Sequence, residues 1–185
     1  MSKYSALLPT LLLLTACSGA AKTGDITQST AYVERPSEDG LILAEVDIDN
    51  NGSADVFNYY RERETAPRLL VKKEIDLNRD TRIDVTSYYD DNGVLTREEM
   101  DGDFDGRVDW IDHYQNGRRV LSEVDTEFDG TFDLFKYFEK GEIARKERDT
   151  NSDGKVDYWE YFENGEVQKV GRDIDGDGQM DVRQE

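Results

Sequence analysis

From position 41 onward the chain alternates apolar and polar residues with a period of two, in short runs broken by turn residues. In ADVFNYY (Ala54 to Tyr60), Ala54 and Val56 share one side while Asp55, Phe57 and Tyr59 share the other. Alternation of this kind predicts half-buried β-strands. The same pattern recurs in LILAEV from Leu41, in RIDVTSYY with VLTREEM, in VDWIDHY with RRVLSEV, in FDLFKYF with EIARKER, and in VDYWEYF with EVQKVGR. Within each pair the strands are separated by DDNG (Asp90 to Gly93), QNG, EKG or ENG. Asn-Gly between alternating runs is a strong short-range hairpin signal. The first pair is joined by the longer RERETAPRLL, which carries Pro67 and marks the first unit as a variant. The last unit stops at MDVRQE, one short strand suited to a terminal cap. The expected fold is therefore all-β: a repetitive antiparallel hairpin meander of about twelve strands, solenoid-like or curled, which must twist. The pattern leaves open whether the sheet closes.

Successive hairpins are joined by a nine-residue acidic loop that occurs six times, starting at Asp47, Asp76, Asp101, Asp125, Asp149 and Asp173. A period that short and regular defines a repeat array. Oxygen-bearing side chains stand at loop positions 1, 3, 5 and 9. They are Asp47, Asp49, Asn51 and Asp55 in loop 1; Asp76, Asn78, Asp80 and Asp84 in loop 2; and Asp101, Asp103, Asp105 and Asp109 in loop 3. Loop 4 has Asp125, Glu127, Asp129 and Asp133, loop 5 has Asp149, Asn151, Asp153 and Asp157, and loop 6 has Asp173, Asp175, Asp177 and Asp181. Hard oxygen ligands converging around a Gly-permitted sharp turn at position 6 are what Ca²⁺ requires. Up to six structural Ca²⁺ are expected, with loops 3 and 6, all-Asp at the four positions, binding best. Glu127 is one methylene long for position 3. Loop 2 has Thr81 in place of the position-6 glycine, and a β-branched residue is costly at positive φ.

Residues at loop positions 8 and 10 (Ile83 and Val85, Val108 and Trp110, Phe132 and Leu134, Val156 and Tyr158) are expected to form the main packed face. Phe57, Tyr59, Tyr88, Phe135, Tyr137, Trp159 and Tyr161 fall on the opposite face. Two readings of that second set stand side by side: cross-strand aromatic ladders, or an exposed stripe that binds glycan or a protein edge. His113, the only histidine, alternates with Ile111 where other units have Tyr and is expected to pack.

Composition sharpens the metal expectation. Acidic residues outnumber basic ones by 42 to 23, for a net charge of −19, and hydrophobic residues make up only 36% of the chain. A compact state with that excess repels itself unless cations neutralise it, and the apolar fraction is thin for an ordinary core. The lack of a basic patch argues against a nucleic-acid partner. No nucleophile-and-base set or phosphate-binding loop is visible, so a catalytic role is not expected.

The loop pattern resembles several known calcium motifs. DTNSDGKVDYWE, Asp149 to Glu160, matches the EF-hand loop, and the acid at its twelfth position adds Glu160 to the candidate ligands. The flanking alternation is that of strands, not helices, and position 12 is Asp112, Lys136 or Ser87 in other units, so these are EF-hand-like loops in a β context. In that form they resemble the loops of thrombospondin type 3 repeats and of FG-GAP or VCBS propellers, which implies side-chain ligands at 1, 3, 5 and 9 and a carbonyl ligand at 7. The hairpins, with Tyr-x-x-Asn-Gly, resemble variant MORN repeats.

At the N-terminus, Lys3 and the apolar run from Ala6 to Leu14 read as a secretory signal peptide spanning residues 1–16, too short to cross a bilayer as a helix. Leu14-Thr15-Ala16-Cys17 resembles the lipobox of bacterial lipoproteins, which implies cleavage before Cys17 and a lipid anchor on it. Acylation also accounts for a lone cysteine in an oxidising compartment. The resemblance places the protein in the cell envelope, with Ser18 favouring the outer membrane. Residues 17–40, rich in Ser, Thr, Gly and Ala, read as a flexible tether to a repeat domain over 41–185. The expected function is a non-catalytic calcium-binding lipoprotein, structural or adhesive, in which the metal builds the fold. The alternative is a calcium-dependent glycan- or protein-binding module.

Overall fold

The computed structural model describes residues 31–184, so the signal peptide, Cys17 and the first part of the tether lie outside the described residues. Thirteen strands follow one another: β1 (Ala31–Pro36), β2 (Ile42–Asp47), β3 (Val56–Arg61), β4 (Leu69–Ile75), β5 (Val85–Tyr89), β6 (Leu95–Met100), β7 (Trp110–Gln115), β8 (Arg118–Val124), β9 (Leu134–Glu139), β10 (Glu142–Arg148), β11 (Tyr158–Glu163), β12 (Glu166–Arg172) and β13 (Val182–Gln184). They form one open antiparallel sheet in strict sequence order, β1 to β13, without closing into a barrel. The all-β meander expected from the alternation is the fold.

Local chemistry sets the register. Asn116-Gly117, Lys140-Gly141 and Asn164-Gly165 all have positive φ, between 52° and 90°, at the two central positions of two-residue turns. That is the backbone twist that matches paired strands. Five hairpins then carry a register shift at the same place: Tyr59, Tyr88, His113, Tyr137 and Tyr161 are each followed by a residue whose partner skips one position on the returning strand. The skipped residues are Val71, Thr96, Val120, Ala144 and Gln168. A repeated bulge strengthens the local twist in every unit.

The sheet is a single layer, because each described strand packs only on its neighbours in sequence. This corrects the expectation of a main packed face. Val85 is 8% exposed, but Val108 is 38% exposed, and Ile83, Trp110, Phe132, Leu134, Val156 and Tyr158 are half-buried. With no second layer, neither face is sealed. The side chains instead protect one another along rows that cross the strands. On one face the tyrosine row runs Tyr59, Lys72, Tyr88, Arg97, His113, Leu121, Tyr137, Arg145 and Tyr161. Lys72 lies 3.9 Å from the Tyr59 ring and Arg145 4.1 Å from the Tyr137 ring. Three of the row's hydroxyls donate to a glutamate of the next row: Tyr59 to Glu74 at 2.7 Å, Tyr88 to Glu99 at 3.2 Å and Tyr137 to Glu147 at 3.0 Å. His113 joins the row with Nε2 2.6 Å from Glu123. Burial and these carboxylates push the three tyrosines' pKa values above the ordinary phenol value.

The opposite face has its own node. Asp112, 8% exposed, accepts from Trp110 Nε1 at 2.8 Å, from Arg119 Nη1 at 3.1 Å and from the hydroxyl of Ser122.

Strand β1 is the thirteenth strand and falls inside residues 17–40, assigned from composition to the tether. All six of its residues are exposed. It pairs with β2 and is pinned by Arg35 on Glu45 at 2.8 Å and Arg68 on Glu34 at 2.6 Å. An edge strand shares only one of its sides with the sheet and tolerates charge and proline, so it lacks the apolar alternation of the inner strands.

Candidate metal centre

The hairpin turns stand along one edge of the sheet and all six acidic loops along the other. Each acidic loop joins the end of one hairpin to the start of the next. Neighbouring loops are two strand spacings apart, about 10 Å. Backbone hydrogen bonds carry the sheet into the loops: the amide of each position-9 Asp bonds the residue just before the loop, as in Asp109 to Met100 at 2.9 Å. The amide of each position-1 Asp from loop 2 on bonds the position-9 carbonyl of the loop before, as in Asp125 to Asp109 at 2.8 Å. Positions 1 and 9 are thereby drawn into the sheet edge.

That drawing-in buries nine loop carboxylates among the described residues. Asp47, Asp55, Asp76, Asp84, Asp101, Asp109, Asp125, Asp133 and Asp149 are each 8% exposed or less. Buried carboxylates are costly unless hydrogen-bonded or joined to a cation. The loops supply the hydrogen bonds from their own backbone. Position 1 accepts the position-6 amide in all six: Gly52, Thr81, Gly106, Gly130, Gly154 and Gly178 donate at 2.6 to 2.8 Å. Position 9 accepts the position-2 amide, from Ile48, Leu77, Gly102, Thr126, Thr150 and Ile174, at 2.5 to 3.0 Å. Position 5 accepts the position-7 amide in every loop, as in Asp105 from Arg107 at 2.8 Å. Position 3 accepts the position-5 amide in five loops and not in loop 4, where Glu127 carries the extra methylene.

Two left-handed residues shape each loop. Position 6 has φ of 74° to 96°, glycine in every loop but loop 2, where Thr81 sits at 74°. Position 4 is also left-handed, from Asn50 at 59° through Phe104 at 66° and Phe128 at 59° to Gly176 at 79°. The sequence reading missed this second kink, because no consistent residue type marks it. A bulky residue there is strained.

Three loops gather three carboxylates with oxygens all within 4.8 Å of one another: Asp47, Asp49 and Asp55; Asp101, Asp103 and Asp109; Asp173, Asp175 and Asp181. Each set could hold a metal ion. In the middle one, Oδ1 of Asp101 is buried, at a residue 4% exposed, and has no hydrogen-bond partner. A buried carboxylate oxygen without a partner is costly, and a cation is one group that would satisfy it. Burial opposes the charge of Asp47 and Asp173, but backbone amides, Gly52 and Gly178 foremost, outweigh it and hold both carboxyls below the usual carboxylate range. Asp105 is held low by the Arg107 side chain and amide. These groups are charged at neutral pH.

The remaining loops bring their position-1 and position-9 acids to the same places without a gathered triad of carboxylates. Asn78 and Asn151 are neutral at position 3, and Glu127 points toward loop 5, accepting from the Ser152 hydroxyl at 3.3 Å. Glu160, the position-12 acid of loop 5, finds partners outside the loop. It lies within β11, where it accepts from Tyr158 at 3.4 Å and faces Lys146 at 3.8 Å. A helix after the loop would turn position 12 back toward the ligands, whereas a strand carries it away. Asp112 departs for the same reason.

No protein-family model matches the chain, and no curated protein matches it. Among solved structures it is similar to the accessory secretory protein 1, 2 and 3 structure from Streptococcus pneumoniae, at 12% identity and a TM-score of 0.34. The match covers 66% of this chain but 19% of that one.

Proposed function

We propose that this chain is a non-catalytic calcium-binding repeat lipoprotein of the cell envelope, anchored through Cys17, in which up to six structural Ca²⁺ ions line one edge of a single-layer sheet and make it a rigid structural or interaction module. The observation that carries the metal reading is Oδ1 of Asp101, a buried, unpartnered carboxylate oxygen inside a gathered triad. Only oxygen donors are offered, which suits a hard cation, and irregular carboxylate-rich loops suit Ca²⁺ better than the strict octahedron of Mg²⁺. The net charge of −19 and the lack of a second packed layer leave the fold short of other stabilisation. Binding energy then becomes folding energy. On the aromatic face the rings are engaged by Lys72, Arg97 and Arg145, which supports ladders that stiffen the sheet.

The test is thermal unfolding followed by circular dichroism in CaCl2, in MgCl2 and in EGTA. A higher melting temperature in CaCl2 than in MgCl2 at equal ionic strength is expected, and coincident curves in all three would refute the proposal. Mass spectrometry of the membrane-extracted protein tests the anchor, which requires acyl chains on a mature chain beginning at Cys17.

A further inference from the structure

The loops are not independent along the edge, because cationic side chains reach from one into the next. Arg107, at position 7 of loop 3, holds Oδ2 of Asp105 in its own loop through Nε at 2.8 Å. Its Nη1 donates to the carbonyl of Asp129 in loop 4 at 3.1 Å. Arg82 repeats the arrangement one loop earlier, on Asp80 at 3.0 Å and on the Asp105 carbonyl at 3.3 Å. Lys155 of loop 5 donates to the Gly176 carbonyl of loop 6 at 2.7 Å. Arg79 of loop 2 reaches back to Asp49 of loop 1 at 3.0 Å.

Room for these side chains is built into the receiving loops. A Cβ at Gly130 would lie 3.0 Å from Arg107 Nη1, one at Gly106 3.3 Å from Arg82 Nη1, and one at Gly178 3.6 Å from Lys155 Cδ. Loop 5 follows Thr131, which has no cation to offer, and a Cβ at Gly154 would meet nothing within 4 Å. Loop 2 follows Ser53, and it is the loop in which position 6 carries a side chain, Thr81. The gathered carboxylate triads fall in loops 1, 3 and 6, never in two adjacent loops.

We propose that cation loading along this edge is anticooperative between adjacent loops, with Arg107 as a tethered side-chain cation shared by loops 3 and 4. The inference rests on the metal reading above. Loop 3, which contains the unpartnered Asp101 oxygen, fills first. The arriving ion takes Asp105 in competition with Arg107. The displaced guanidinium stays on the Asp129 carbonyl it already touches but loses Asp105 as its counter-charge, so loop 4 faces an un-neutralised cation. Loops about 10 Å apart lie within roughly one Debye length, so this charge is felt by the next ion.

The experiment is a CaCl2 titration of the full chain followed by amide NMR, reading the Gly106, Gly130 and Gly178 signals for loops 3, 4 and 6 separately. Arg107→Ala should tighten both loop 3 and loop 4 by about two- to fivefold, the scale of a surface ion pair, and leave loop 6 unchanged. Arg107→Lys should restore most of the competition by keeping the charge. A loop 3 or a loop 4 that does not tighten in Arg107→Ala overturns the proposal while leaving the metal reading intact. A wild-type chain whose three glycine signals ignore calcium overturns both.

Discussion

Thr81 donates its amide to Oδ2 of Asp76 at 2.8 Å while holding φ at 74°, so loop 2 keeps the hydrogen bond of its five sister loops at the cost of a strained β-branched residue. The other five loops make the same bond with glycine. Thr81→Gly should therefore stabilise the protein, by about 1 kcal/mol if only the left-handed strain is relieved. Urea denaturation in EGTA measures it. A variant less stable than the wild type would show that the Thr81 side chain makes a compensating contact.

Asp101→Asn separates the two costs of a buried carboxylate. Without metal, the substitution removes an unpartnered charge, so in EGTA the variant should be no less stable than the wild type. In CaCl2 at roughly ten times the dissociation constant it should lose about 1.4 kcal/mol, the linkage contribution of one site. Parallel melts in the two buffers report this. Equal destabilisation in both would mean that Asp101 serves the turn alone.

The tyrosine row predicts an alkaline transition. Tyr59, Tyr88 and Tyr137 have phenol pKa values raised by burial and by the carboxylates of Glu74, Glu99 and Glu147. A group whose folded pKa lies above its unfolded value contributes stability that is complete below the unfolded value, near 10, and is lost as pH rises through the folded one. Phenolate absorbance should therefore lag behind free tyrosine and rise together with loss of the sheet. Ionisation near pH 10 with the sheet intact would contradict the buried network.

Asp112 anchors Trp110, Arg119 and Ser122 on the other face. Asp112→Ala leaves a half-buried indole N–H and a buried hydroxyl unpartnered, and should cost about 2 kcal/mol in calcium and in EGTA alike. Chemical denaturation checks this. Dependence of the loss on calcium would place Asp112 among the ligands, contrary to its position in β7.

Much of this architecture is legible in the chain. Alternation around Val56, Phe57 and Tyr59, the Asn116-Gly117 and Asn164-Gly165 turns, and the spacing of the position-1 aspartates lead directly to the hairpins and to loops along one edge. Strand β1 escapes because an exposed edge needs no apolar alternation. The expected packed face at Val85 and Trp110 fails for a different reason: period-two alternation reports a pleated surface and does not say whether a second layer covers it. The left-handed position 4 is invisible because residues as different as Asn50, Phe104 and Gly176 occupy it. The reach of Arg107 into loop 4 depends on the sheet that places the loops side by side, and in sequence it reads only as a charge near its own Asp105. Glu160, twelfth in the loop motif, lies in β11, where strand geometry has taken over from the loop.

The proposal that one edge of this sheet holds calcium can be measured on the chain itself. Calorimetric titration of CaCl2 into the chelator-treated protein tests it most directly. At least three ions per chain are expected, for the triads at Asp47, Asp101 and Asp173, with dissociation constants of about 10⁻⁴ to 10⁻³ M or tighter. A stoichiometry near zero would contradict it.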